Sequence, residues 1–138
     1  MKLENINSGE TYSISDFKGK QVLFETFAVW CVNCKKQQDE IKTLKEELGD
    51  ELITISLNSD PNEEKEEVLK YVNENGYDWY YSIGTPEMSE QLLSEFGFQI
   101  LNAPSAPIVM FCKDGSYSLL PEGHKTTAEL REYLELSC

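Results

Sequence analysis

The segment Trp30-Cys31-Val32-Asn33-Cys34 holds the side chains best suited to chemistry in this chain. It follows an apolar run and opens a helical pattern that continues to Leu48. A thiol at a helix N-terminus is stabilised as a thiolate by backbone N–H groups, and a nearby second thiol can displace whatever the first has bonded. The spacing therefore predicts dithiol–disulfide exchange, with Cys31 as the nucleophile and Cys34 as the resolving thiol.

The helical pattern assigns different surroundings to the two thiols. Ile41, Leu44 and Leu48 recur at spacings of three and four residues, as the buried face of a helix requires. Extended back by seven residues, that apolar stripe includes Cys34. We therefore expect Cys34 to face the core and Cys31, at the start of the helix, to face solvent.

Two other interpretations of the cysteine pair are an inert structural disulfide and half of a zinc site. Structural zinc needs four ligands, and Cys112, Cys138 and His124 stand apart from one another without a second paired motif. We therefore predict no metal site, and no cofactor beyond the Cys31–Cys34 couple. Cys112 is expected to be a small core residue and Cys138 a free terminal thiol, with a bridge between them left open.

Charge and length restrict the function classes. The chain has 138 residues, 12 basic and 25 acidic, with a formal net charge of −13. Nucleic-acid binding and docking on anionic lipid are disfavoured, because both need clustered basic residues. The acids are expected on solvated helix faces, although they could steer a basic partner protein. Residues 1–138 are expected to form a single, monomeric domain.

The sequence contains no transmembrane pattern, since no apolar stretch reaches the roughly 18 residues that cross a bilayer. The first residues lack the apolar region of a signal peptide. The chain as written is therefore expected in the cytoplasm. The alternative is an extracytoplasmic or membrane-anchored protein whose targeting segment lies outside this sequence.

Strand-like and helical patterns alternate along the chain and predict an α/β fold. The predicted elements are a strand or hairpin at 11–14, strands at 21–28, 52–58, 79–81 and 108–112, helices from Cys34, Asp60 and Thr85, a turn at 113–115, a returning strand at 117–120 and a final helix after Thr126. Such alternation favours a mixed sheet with helices on both faces.

Four features appear in a fixed order: the Trp30-Cys31-x-x-Cys34 motif, Glu25 six residues before Cys31, Pro107 eight residues before Gly115, and an extra helix and strand between Leu57 and Ser105. With them the chain resembles the thioredoxin superfamily over nearly its whole length. Within it, the chain is most similar to the TlpA/ResA-type thiol–disulfide oxidoreductases. Residues 11–20 resemble the N-terminal hairpin of that branch.

The resemblance implies that Glu25 is a buried acid. A carboxylate inside an apolar strand is costly unless it has a task, so we expect burial to raise the pKa of Glu25. It would then exchange a proton with Cys34 through water. The alternative is that Glu25 points to solvent from a strand edge.

The resemblance also implies a substrate-binding surface formed by Trp30, Ala106 and Pro107. A cis bond before Pro107 would turn the chain beside Cys31, and the Ala106 backbone could pair with an extended substrate. Pro104 is the rival cis position, and two trans prolines are the third alternative. Trp30 is expected to pack beside the thiols and limit access of solvent and metal, unless it is simply a core residue.

These expectations together predict an enzyme that reduces protein disulfides, with electrons supplied by an upstream redox partner protein. The resemblance implies that the inner dipeptide, here Val32-Asn33, tunes the redox potential, so a disulfide oxidase or isomerase with the same site is the alternative. A thiol peroxidase is disfavoured because neither Cys31 nor Cys34 has the Thr three residues upstream that such enzymes need. A binding module that uses the fold only as a scaffold is the remaining rival.

Overall fold

Strands and helices alternate along the chain, and the computed structural model describes all residues, 1–138. The strands are β1 (Lys2–Glu4), β2 (Thr11–Ser13), β3 (Gln21–Phe27), β4 (Leu52–Asn58), β5 (Tyr80–Ile83), β6 (Ile108–Phe111) and β7 (Tyr117–Leu119). The helices are α1 (Val32–Leu48), α2 (Lys65–Asn75), α3 (Pro86–Phe96) and α4 (Thr127–Leu136). None of these helices combines the length and apolarity that crossing a bilayer requires.

The central sheet has five strands in the order β5-β4-β3-β6-β7. Strands β3, β4 and β5 run parallel, and β6 and β7 are antiparallel to their neighbours. β1 and β2 form a separate antiparallel hairpin. The predicted mixed sheet and the inserted helix and strand (α2 and β5) are therefore confirmed. An N-terminal hairpin is also present, but it pairs residues 2–4 with 11–13 and does not lie within 11–20 as predicted.

Alternation along β3 divides the core into two clusters. Leu23 and Phe27 pack with residues of α1, α2 and α4, whereas Val22 and Phe24 pack with Leu92 of α3 on the opposite face. Helices therefore cover both faces of the sheet, as predicted. Because side chains alternate along a strand, Glu25 shares the α1 side with Leu23 and Phe27.

The start of α2 differs from the prediction of a helix beginning at Asp60. The helix begins at Lys65, after Glu64, whose side chain and that of Glu67 form a capping box. Residues 59–63 instead form a turn. The physical reason is that the carboxylates of Asp60 and Glu63 bind the segment before Cys31, so they do not cap a helix.

Cys112 and Cys138 form a disulfide, with their Cα atoms 5.4 Å apart. The expectation of a core Cys112 and a free Cys138 is wrong, and the bridge that the sequence left open is present. Helix α4 returns the end of the chain to the end of β6, where Cys112 is only partly buried. This proximity depends on tertiary packing, which residue spacing does not report.

Candidate active site

Cys31 is the N-cap residue of α1, and its sulfur accepts a hydrogen bond from the backbone N–H of Cys34 at 3.1 Å. Cys31 is only 3% exposed, so the expectation that it faces solvent is wrong. The cap residue precedes the helix, and its sulfur turns back over the first turn, so the helical period does not set its direction. The neighbours Trp30 and Val32 are instead exposed, by 59% and 68%.

Cys34 lies one turn deeper and is buried, as the helical stripe predicts. Its thiol donates a hydrogen bond to the Ala103 carbonyl at 3.2 Å. Burial raises the pKa of Cys34 well above its ordinary value, and the neighbouring Cys31 and Glu25 raise it further. Both thiols are free, so the structure shows the dithiol form.

Glu25 is buried in β3, as the resemblance implies and not as a strand-edge residue would be. Burial raises its pKa to about 8, although the hydrogen bond from the Ser56 hydroxyl and the nearby Gln38 amide act in the opposite direction. The Ser56 hydroxyl donates to Glu25 and accepts a hydrogen bond from the Trp79 indole N–H at 2.8 Å. A carboxyl with this pKa can give or take a proton near neutral pH.

Three polar residues near Glu25 were missed by the sequence analysis: Ser56, Gln38 and Tyr71. The Gln38 side chain is fully buried, and its Oε1 accepts hydrogen bonds from the hydroxyls of Tyr71 and Tyr81. The helical period could have indicated that Gln38 is buried, because this residue lies four residues after Cys34 and three before Ile41. Ser56 and Tyr71 become neighbours only through tertiary packing.

The segment at 103–107 lies against the cysteine motif. The Ala103 carbonyl accepts the Cys34 thiol, and the Pro104 carbonyl accepts the Asn33 side-chain amide at 3.1 Å. The prediction of a cis bond before Pro107 is wrong, because the chain contains no cis peptide bond. Ala106 makes the turn instead, in a left-handed conformation with φ 48° and ψ 59°.

Trp30 does not cover the thiols as expected, since more than half of it is exposed. Its indole N–H donates to Asp60 at 2.7 Å. The Glu63 carboxylate accepts the backbone N–H groups of Val29 at 2.8 Å and Trp30 at 3.3 Å, and the Asn58 side chain at 2.7 Å. Two acids from the β4–α2 turn therefore hold the segment that leads into Cys31.

The chain contains no group of three His, Cys, Asp or Glu side chains arranged to hold a metal ion.

The sequence that contains this site matches a known protein family. The family model described as Redoxin matches residues 2–116, which include both thiols, Glu25 and Pro107. The chain belongs to the Redoxin family.

Relatives of this Redoxin-family chain include two proteins from Bacillus. The thioredoxin-like protein YneN of Bacillus subtilis (strain 168) is 24% identical over 129 residues, covering 94% of this chain and 72% of YneN. The thiol-disulfide oxidoreductase ResA of Bacillus thuringiensis subsp. konkukian (strain 97-27) is 26% identical over 130 residues, covering 92% of this chain and 69% of ResA. The resemblance to the TlpA/ResA branch is confirmed.

Solved structures confirm the thioredoxin-like fold of this Redoxin-family chain. A thiol:disulfide interchange protein of the thioredoxin family from Chlorobium tepidum TLS has a TM-score of 0.79 at 17% identity, covering 99% of this chain and 91% of that one. The pneumococcal exposed lipoprotein thioredoxin from Streptococcus pneumoniae strain TIGR4 has a TM-score of 0.73 at 21% identity, covering 98% of this chain and 97% of that one.

Proposed function

We propose that this protein is a thiol–disulfide oxidoreductase that reduces disulfides of other proteins, with Cys31 as nucleophile and Cys34 as resolving thiol. One observation carries the proposal: the Cys31 sulfur accepts the Cys34 N–H at the start of α1, while the Cys34 thiol is buried beneath it beside Glu25. The position of Cys31 at the N-terminus of α1 and the more deeply placed second thiol suit the two steps of the exchange.

In the first step, the Cys31 thiolate attacks a substrate disulfide. A Cys31–substrate disulfide forms, the substrate S–S bond breaks, and the leaving thiolate takes a proton from solvent. In the second step, Glu25 accepts the proton of Cys34, and the Cys34 thiolate attacks the Cys31 sulfur. The Cys31–substrate bond breaks, the second substrate sulfur leaves as a thiolate that takes a proton from solvent, and Glu25 later returns its own proton to solvent. The substrate has gained two electrons, and the Cys31–Cys34 disulfide remains. A dithiol of an upstream redox partner protein returns two electrons, so no further cofactor is needed.

The surroundings of Cys34 support reduction over oxidation. Burial and the neighbouring Cys31 and Glu25 all oppose its thiolate, so the reduced form gains no stabilisation from an ionised Cys34. Strong oxidants show the opposite, a stabilised reduced form. We expect a potential near the value of about −270 mV that thioredoxin has, whereas a value near about −120 mV would assign the oxidase or isomerase role.

The substrate is proposed to lie between the exposed Trp30 and the Ala106–Pro107 backbone. The Ala106 N–H already donates to the Ala103 carbonyl at 2.9 Å, so pairing with an extended substrate would use the Ala106 carbonyl. The trans bond before Pro107 does not alter this proposal, because the left-handed Ala106 still turns the chain beside the cysteine motif.

The compartment is also a proposal. Disulfides persist in oxidising compartments and are rare in the cytosol, so the Cys112–Cys138 bond favours an extracytoplasmic site over the cytoplasmic expectation. The net charge of −13 supports solubility and gives no reason to expect nucleic-acid binding. A monomer remains the expected state.

Trapping of substrate tests the assignment of the two thiols. We expect Cys34→Ser to accumulate mixed disulfides with insulin chains, because the first bond forms and cannot be resolved. Cys31→Ser should abolish insulin reduction. A Cys112→Ser/Cys138→Ser protein is the control and should keep insulin reduction without accumulating mixed disulfides. Insulin reduction by Cys31→Ser at the wild-type rate would refute the assignment of the nucleophile.

A further inference from the structure

A row of side chains crosses the sheet beneath α1 at the level of Glu25. Glu25 pairs with Ile108 of β6 on one side and with Ser56 of β4 on the other, and Ser56 pairs with Tyr81 of β5. Paired residues of neighbouring strands point to the same face of a sheet. The Glu25 carboxyl, the Ser56 hydroxyl and the Tyr81 ring therefore share the face that α1 covers.

Gln38 faces this row from α1, because it lies one helical turn after Cys34 on the buried side of the helix. Its Oε1 accepts the Tyr71 hydroxyl at 2.9 Å and the Tyr81 hydroxyl at 2.7 Å. Burial raises the pKa of both tyrosines, so both remain protonated donors. Because Oε1 accepts both hydroxyls, the amide is held with its Nε2 end pointing away from the two tyrosines.

The other end of the amide, Nε2, is fully buried, and no protein group lies within hydrogen-bonding geometry of it. Such a group is costly unless it stabilises something nearby. The amide lies over the row that contains Glu25, because its Oε1 is bonded to Tyr81 of that row, and Gln38 lowers the pKa of Glu25. With the tyrosines holding Oε1, the amide cannot turn to offer Glu25 an oxygen in place of its N–H groups.

We propose that Gln38, oriented by Tyr71 and Tyr81, is a positioning residue that presents its amide N–H groups to Glu25 and so sets how readily that carboxyl accepts the proton of Cys34. This inference rests on the proposed function, because the proton is the one that Cys34 loses when it resolves the mixed disulfide. Gln38 does not touch the substrate. It acts through Glu25.

Groups from every neighbouring element face Glu25, and none of them is a lysine or arginine contributing to its pKa. Ile108 of β6 is apolar, and Ser56 of β4 donates a hydrogen bond. The titratable groups that respond to the charge of Glu25 are Cys34, Tyr71, Tyr77 and Tyr81. Gln38 is therefore one of only two side chains that oppose the effect of burial on the pKa of Glu25.

The test compares Gln38→Leu with Gln37→Leu. Gln37 is the matched control, since it is equally buried and makes two hydrogen bonds, but these go to the backbone of Lys125 at 2.7 and 2.9 Å. The first readout is the titration of the Glu25 carboxyl by NMR in reduced protein labelled with 13C-glutamate. The second readout is the pH dependence of single-turnover resolution of a Cys31–peptide mixed disulfide.

We expect Gln38→Leu to raise the Glu25 midpoint by about one pH unit, because the carboxylate loses the nearby amide dipole that favours its ionised form. At pH 7 the ionised fraction of Glu25, and with it the resolution rate, should then fall up to about tenfold. Gln37→Leu should leave the midpoint unchanged. In a Glu25→Gln background, Gln38→Leu should cause no further loss of rate. Equal midpoints for Gln38→Leu and Gln37→Leu would overturn the inference.

A second variant keeps the test decisive if Gln38→Leu does not fold. Tyr71→Phe/Tyr81→Phe keeps Gln38 but frees its amide to rotate, so the Glu25 midpoint should rise by less than in Gln38→Leu. An unchanged midpoint in this variant would also overturn the inference. The NMR titration requires no turnover, so a protein that reduces no disulfide would refute the proposed function while still reporting on Gln38.

Discussion

Replacing Glu25 by Gln should flatten the pH dependence of stability between about pH 4.5 and pH 8. The folded protein keeps the Glu25 proton up to about pH 8, whereas an unfolded Glu releases it near 4.5. In this window the folded state binds more protons than the unfolded state, so the free energy of unfolding falls as the pH rises. Each pH unit lowers the free energy of unfolding by about 1.4 kcal/mol, so the whole window lowers it by up to about 5 kcal/mol.

That loss is large against a typical free energy of unfolding of about 5–15 kcal/mol. The neutral Gln side chain keeps the shape of the buried acid but has no proton to release. Glu25→Gln should therefore be more stable than the parent protein at pH 8, and this advantage should shrink steadily as the pH falls towards 5.

Urea unfolding at half-unit pH steps measures the effect, with tryptophan fluorescence as the signal. Both proteins should carry Cys31→Ser and Cys34→Ser, so that no active-site thiol titrates in the same range. Glu66→Gln is the control, because Glu66 is exposed and its neutralisation should leave the slope unchanged. Parallel stability curves for Glu25→Gln and its parent from pH 5 to pH 8 would refute the inference that the buried Glu25 carboxyl is neutral in the folded protein.

Two further predictions concern the covalent and polar ties around the site. Cys112→Ser/Cys138→Ser should lower the free energy of unfolding by about 3–4 kcal/mol, as expected for a disulfide with a sequence separation of 26, and should leave insulin reduction intact. An unchanged urea midpoint would contradict a stabilising role for this disulfide. Glu63→Ala should lower the free energy of unfolding by about 1–3 kcal/mol, because two backbone N–H groups and one side-chain amide lose their shared acceptor. Faster amide hydrogen exchange at Val29 and Trp30 would accompany that loss, and unchanged exchange there would argue against the contact.

The fold was largely predictable because its signals are local. The β-branched run at 52–58 is strand β4, and the caps at Thr85 and Thr126 begin helices α3 and α4 as predicted. The same local rule failed at Asp60, where the residues of a helix-start pattern instead make hydrogen bonds with a distant segment of the chain. A capping pattern indicates that an acidic side chain could cap a helix, but tertiary contacts determine which groups that side chain binds.

The candidate site was predictable for residues tied to a period or a motif. Cys34 follows from the helical stripe, and the burial of Glu25 from the family resemblance and its place in an apolar strand. Cys31 was misplaced because a cap residue lies outside the period that was extrapolated to it. The turn at Ala106 was also missed, since a left-handed alanine leaves no mark in sequence, and a proline permits either isomer.

The attachment of Val29 and Trp30 to Glu63 has a consequence for engineering. A chimera that transplants only the pentapeptide at 30–34 into another scaffold would carry the sulfurs without the carboxylate that organises the preceding loop. The transferable unit is discontinuous and includes Asn58 to Glu63 as well as the motif. Exchanging both segments together among relatives should preserve the geometry of the cysteine motif. Exchanging the motif alone should leave the loop before it poorly ordered.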